Sequence, residues 1–163
     1  MTVGDRAMTI RRRVRSRLTW GSLSVEMAIV APILIMLLFG TIEMGLLFKD
    51  SLALNSACRE AARVAAMGSV TTDVTTRARA AATTLVAANV TITQQYRILD
   101  LGVWGPWTTM ADLGGYNTAP SGAQIRIALS YPHSLVTGSL FASLANPGTS
   151  TVTVRGNMIM MRE

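Results

Sequence analysis

Two glutamates bracket the most apolar stretch of this chain, and their placement calls for a chemical reason. Between Glu26 and Glu43 no residue is charged, and Leu, Ile, Val, Met, Ala and Phe dominate. A carboxylate at a bilayer centre costs about 2.5–3.5 kcal/mol on insertion scales, so acids near a membrane are kept with a partner or a function. Helical spacing separates the two by about 25 Å, which puts each near one edge of a hydrocarbon core of about 30 Å. At an edge, the plain reading is that each carboxylate reaches into the headgroups. The sharper reading pairs them. A cut after Gly21 would make Ser22 the new N-terminus and Glu26 the fifth residue of an apolar helix. The free α-amine of one helix could then neutralise Glu26 of its neighbour, offsetting the desolvation of both. For Glu43 the sharper partner is a Lys or Arg of another subunit.

The remaining reactive residues point away from catalysis. A single cysteine, Cys58, excludes an internal disulfide and a multi-cysteine metal site, and it reads as a small buried packing residue. The single histidine, His133, follows Pro132 and reads as a surface turn residue. No P-loop, HExxH or GxSxG occurs, and no serine has a base at recognisable spacing, so no catalytic residue, cofactor site or metal site is expected. Trp104, Trp107 and Tyr116 read as core or membrane-proximal residues rather than a binding patch.

Charge sorts the chain into segments. Of 163 residues, the first twenty hold Arg6, Arg11, Arg12, Arg13, Arg15 and Arg17 against Asp5 alone, while the rest is nearly balanced. The overall charge of +6 therefore reports a basic leader and not a nucleic-acid face, since no aromatic interleaves with the arginines before Trp20. Arginines at 11, 12, 13, 15 and 17, directly before an apolar span, hold that end in the cytoplasm. The apolar stretch exceeds the 7–15 residues of a secretory signal, and no small-x-small cleavage site follows closely. The expected order is a leader over 1–21, a transmembrane helix over 22–48, and an extracytoplasmic domain over 49–163.

The elements that hold these residues follow from periodicity. Leu54, Cys58, Ala61, Ala62 and Ala65 recur at helical steps while Arg59, Glu60 and Arg63 share another face, so the membrane helix continues to Gly68. Thr72 or Asp73 can cap a second, shorter helix running to about Ala88. Val90–Asp100 and Gln124–Tyr131 alternate as strands, Trp104–Met110 is a weaker edge strand broken by Pro106, and Thr149–Met160 is the last strand. Residues 132–148 read as irregular, with a short helical excursion around Leu135–Leu144. The fold class expected is α+β: a long N-terminal helix, a second helix and a small antiparallel sheet. Pro32, inside the span, removes a helical hydrogen bond and should bend it.

Basic leader, glycine, four residues, glutamate and apolar helix is the pattern that prepilin peptidases recognise. Residues 21–68 resemble the TadE-like family of tight-adherence (Flp-type) pilus assembly proteins. The matching residues are Gly21, Val25, Glu26, Ala28, Pro32, Phe39, Gly40, Ile42, Glu43, Gly45 and Arg59-Glu60-Ala61-Ala62-Arg63, and Val152 to Glu163 resembles the family's C-terminal end. The resemblance implies a pseudopilin or minor pilin in the cell membrane or the pilus, processed by the prepilin peptidase at Gly21–Ser22. Its partners would be membrane lipid, other pilins and the inner-membrane assembly platform, with no nucleic acid. Glu26, Pro32, Gly40 and Glu43 would serve helix packing and assembly. The alternative is an uncleaved, signal-anchored envelope protein that binds or senses an extracytoplasmic ligand.

Overall fold

The computed structural model describes residues 6–136 and 151–163, with side chains described from Gly21 onward except at Ser22. Most of the Leu135–Leu144 excursion, and the side chains of Arg11, Arg12, Arg13, Arg15 and Arg17, lie outside the described residues. The chain is α+β and divides into two compact units, Met1–Ile42 and Glu43–Glu163. Helix α1, Arg6–Ala66, contributes to both and carries Pro32 within it.

From Leu23 to Ile42 the helix is apolar on every side, and none of these residues is buried. Leu23, Val25, Met27, Ile29, Ile33, Leu37 and Phe39 are all exposed. Leu23–Ala66 is long and apolar enough to cross a membrane, and the part from Leu23 to Ile42 rises about 30 Å at 1.5 Å per residue. A helix with no polar face has nothing to turn toward water, so it marks single-pass membrane anchoring.

The second unit is built on the C-terminal half of α1. Leu54, Ala57, Cys58, Ala61, Ala62 and Ala65 are buried at three- and four-residue steps, as their spacing predicts. Gly68, at φ +89°, ends the helix in the left-handed region that favours glycine. Helix α2, Thr71–Ala81, adds Val74 and Ala78 to the core. It is shorter than its composition suggests. The residue before it, Val70, offers no side-chain cap; instead Asp112 accepts from both the backbone N–H and the hydroxyl of Thr71, each at 2.7 Å. Arg77 reaches back to Glu60 at 3.0 Å, and Arg63 bonds the same carboxylate, which holds Glu60 below the usual carboxylate range.

Among the described residues eight strands follow: β1 Thr91–Arg97, β2 Leu99–Asp100, β3 Val103–Trp104, β4 Thr108–Thr109, β5 Asp112–Leu113, β6 Tyr116–Asn117, β7 Gln124–Ser134 and β8 Thr151–Met161. The main sheet is antiparallel in the order β4-β1-β7-β8, while β2–β3 and β5–β6 form separate two-stranded ribbons. Ile125, Ile127 and Leu129 on β7 join the buried residues of α1 and α2 in one core. Gly156 on β8 permits close approach of the strand to α1, since a Cβ there would lie 3.2 Å from both Asn55 Oδ1 and Cys58 Sγ.

A further expectation changes. Residues 132–134 are not irregular: β7 continues through Pro132, paired with Thr153 of β8. Beyond Ser130 the strand has no β1 neighbour, so the missing N–H of Pro132 is tolerated there.

Candidate functional site

Following β7 past Pro132 places His133 on the inner side of the sheet and not in a surface turn. His133, Asp50 and Glu43 are all buried, each at 6% exposure or less. Glu43 and Asp50 stand seven residues apart on α1, two turns along one face. The imidazole lies between them: Nδ1 is 2.6 Å from Asp50 Oδ2 and Nε2 is 3.1 Å from Glu43 Oε1. The backbone N–H of Val136 donates to the same Glu43 oxygen at 3.3 Å, and Lys49 Nζ lies 3.3 Å from Asp50 Oδ1.

Hydrogen-bond accounting limits what this cluster can be. A neutral imidazole offers one donor and one acceptor, so with both carboxylates ionised both ring nitrogens must be protonated. The half-exposed Lys49 adds a positive charge beside Asp50 at the edge of the cluster, which eases the burial of two acids. Both ring nitrogens are committed, so the histidine has no free edge with which to move a substrate proton. The carboxylates sit on opposite edges of the ring and share no point at which a metal could be held, and among the described residues no metal-holding group of His, Cys, Asp or Glu occurs. What the geometry does is clamp. It fixes strand β7 to the first two turns of the second unit.

The other residues singled out by the sequence are dispersed along α1. Gly21 and Glu26 are exposed, Pro32 is exposed within the helix, and Gly40 is half-buried. A Cβ on Gly21, Gly40 or Gly45 would meet no atom of this chain, which leaves room for a neighbouring helix to approach. The Ser22 side chain lies outside the described residues. Glu43 alone is drawn into the domain.

Two polar centres escaped the sequence reading. One is the His133 clamp, hidden because its members are 83 and 90 residues apart. The other is Asn117, buried beneath the β5–β6 ribbon. Its Nδ2 donates to the Ala65 carbonyl at 2.9 Å and the Ser69 carbonyl at 3.0 Å, and its Oδ1 accepts from Arg162 at 2.8 Å. The ribbon thereby caps the end of α1. An Asn after a Gly-Gly turn was the only local hint. Cys58 is buried, as its neighbours suggest, and burial pushes its thiol up to about 11.

A single-pass helix leading into a small α+β domain is the class of protein that these features define. Residues 21–63 match the model of the family described as TadE-like protein. No curated protein matches the chain, and neither does any solved structure. The family is associated with Tad pili, and its segment contains Gly21, Glu26, Pro32, Gly40 and Glu43 together.

Proposed function

We propose that this chain is a pilin-like, membrane-anchored component of tight-adherence (Flp-type) pilus assembly, acting by helix packing and without catalysis. One observation carries the reading. The TadE-like segment presents about 20 residues of helix with no polar face, beginning at Gly21 with Glu26 five residues in, and continues into a folded domain. An anchor alone has no use for Glu26; a helix that packs among others does, because a carboxylate beside a neighbour's α-amine neutralises both in lipid.

In this reading the prepilin peptidase cuts between Gly21 and Ser22, the arginine leader stays in the cytoplasm, and the domain from Glu43 onward lies outside. The partners are other pilins and the inner-membrane assembly platform. Gly40 marks the side of closest helix approach.

The experiment is N-terminal sequencing of the protein from cells with and without the peptidase, combined with pilus assembly in a Glu26→Ala strain. A mature N-terminus at Ser22 and loss of filaments on Glu26→Ala are expected. A Met1 terminus in peptidase-positive cells defeats the processing step. Normal filaments with Glu26→Ala defeat the pairing role.

A further inference from the structure

The face of the main sheet turned away from the helices carries a chemistry that the anchoring role does not use. Registers of β1, β7 and β8 set it out in rows: Gln95–Arg126–Ile159, Thr93–Ala128–Asn157 and Thr91–Ser130–Arg155, with Arg97 and Gln124 one row further. The intervening residues Ile125, Ile127 and Leu129 are buried, so by alternation Arg126, Ala128 and Ser130 project outward.

Three arginines, Arg97, Arg126 and Arg155, stand on this face with no carboxylate among them. Two are held in place. The Arg126 guanidinium lies 4.3 Å from the centre of the Trp107 ring, and that of Arg97 lies 4.5 Å from Trp107 and 5.1 Å from Trp104. Arg97 Nε donates to Gln124 at 2.8 Å, and Arg126 donates to Gln95. Each guanidinium spends one nitrogen on these bonds. Among the described residues, none of the three arginines pairs with an acid.

Beside them is a hollow of about 580 Å³ lined by Thr93, Ala128, Ser130, Arg155 and Asn157, with Asn55 of α1 also in its lining. That volume lies in the range of small-ligand sites. Guanidinium forks match planar oxyanions, and hydroxyl and carboxamide groups match the hydroxyls of a sugar ring. Stacking on tryptophan fixes two of the forks before a ligand arrives, which lowers the ordering cost of binding. We infer that this face binds an acidic saccharide, an oxyanion carried on a hydroxylated ring, with Arg155 and the Arg97–Arg126 pair holding the charge and the Ala128 hollow holding the ring. The inference does not depend on the pilus reading.

The test is isothermal titration of the full chain in detergent micelles with trigalacturonic acid. Galactotriose and an octa-aspartate peptide serve as comparisons. Binding of the acidic trisaccharide at low salt, weakened by added salt and absent for the neutral one, is expected. Arg155→Gln should weaken it roughly tenfold, the scale of one charge-assisted hydrogen bond. Arg155 is exposed and bonds no described residue, so this variant keeps the fold, which tryptophan emission checks. Ala128→Trp fills the hollow and should abolish binding. Failure of trigalacturonate to bind, or full affinity in both variants, overturns the site. Equal binding of octa-aspartate overturns the saccharide assignment and turns the face over to an acidic polypeptide.

Discussion

His133 Nδ1 and Asp50 Oδ2 stand 2.6 Å apart across 83 residues of chain, both sealed from solvent. Breaking a buried ion pair from one side leaves the other charge without compensation, at a cost of about 3–5 kcal/mol. His133→Ala is therefore expected to destabilise the domain by that amount, measured by urea unfolding of the full chain in micelles with tryptophan emission as readout. The triple variant Glu43→Gln, Asp50→Asn, His133→Gln removes all three charges and should recover most of the loss. A triple variant no more stable than His133→Ala would show that packing, and not charge, holds the cluster.

Asn117 supplies both N–H donors to the carbonyls of Ala65 and Ser69. Asn117→Ala leaves these without the donors and should cost about 1–3 kcal/mol. Asn117→Asp offers these carbonyls no donor but keeps an acceptor for Arg162, so it should fall between asparagine and alanine. Thermal melts of the two variants decide this.

Gly156 lies where a Cβ would come within 3.2 Å of Cys58 Sγ and Asn55 Oδ1. Asn55 is exposed and can swing aside, but Cys58 is buried in the core. Gly156→Ala should then destabilise modestly and Gly156→Val by about 1–3 kcal/mol, the usual cost of overpacking. A valine variant with unchanged melting temperature would mean that β8 and α1 are less closely apposed.

Cys58 has a thiol raised from 9.0 to about 11 by burial. The folded state keeps the proton that the unfolded state gives up first. Stability from this group is thus complete below pH 9.0 and declines by about 1.4 kcal/mol per pH unit as pH rises toward 11. Cys58→Ala should flatten this alkaline slope in urea titrations at pH 8, 9 and 10. In the native protein at pH 8, a thiol reagent should label Cys58 only at the rate of unfolding. Rapid native labelling would contradict its burial.

The sequence yielded those features whose causes are local. Alternation of Ile125, Ile127 and Leu129 defined β7, and the helical recurrence of Leu54, Cys58, Ala61 and Ala65 defined the packed half of α1. The first residue of α2 is bonded by Asp112, 41 residues away, a partner that local capping by Thr72 or Asp73 does not suggest. His133 was misplaced because Pro132 was read as a turn, whereas a strand with a single neighbour accepts it. Long-range polar pairs leave no periodic trace, so the clamp on Glu43 was invisible even though Glu43 itself drew notice. The role of Glu26 rests on family and spacing, since its partner would come from another chain.

One helix serves two solvents here: Leu23–Ile42 is stable in hydrocarbon by its own backbone bonds, while Leu54–Ala65 depends on the sheet packed against it. Denaturation consequently has no single midpoint. Far-ultraviolet circular dichroism should retain a helical residue after the domain has melted, because the anchor keeps its hydrogen bonds as long as the micelle survives. Trp104 and Trp107, both in the second unit, will report the first event and be blind to the second.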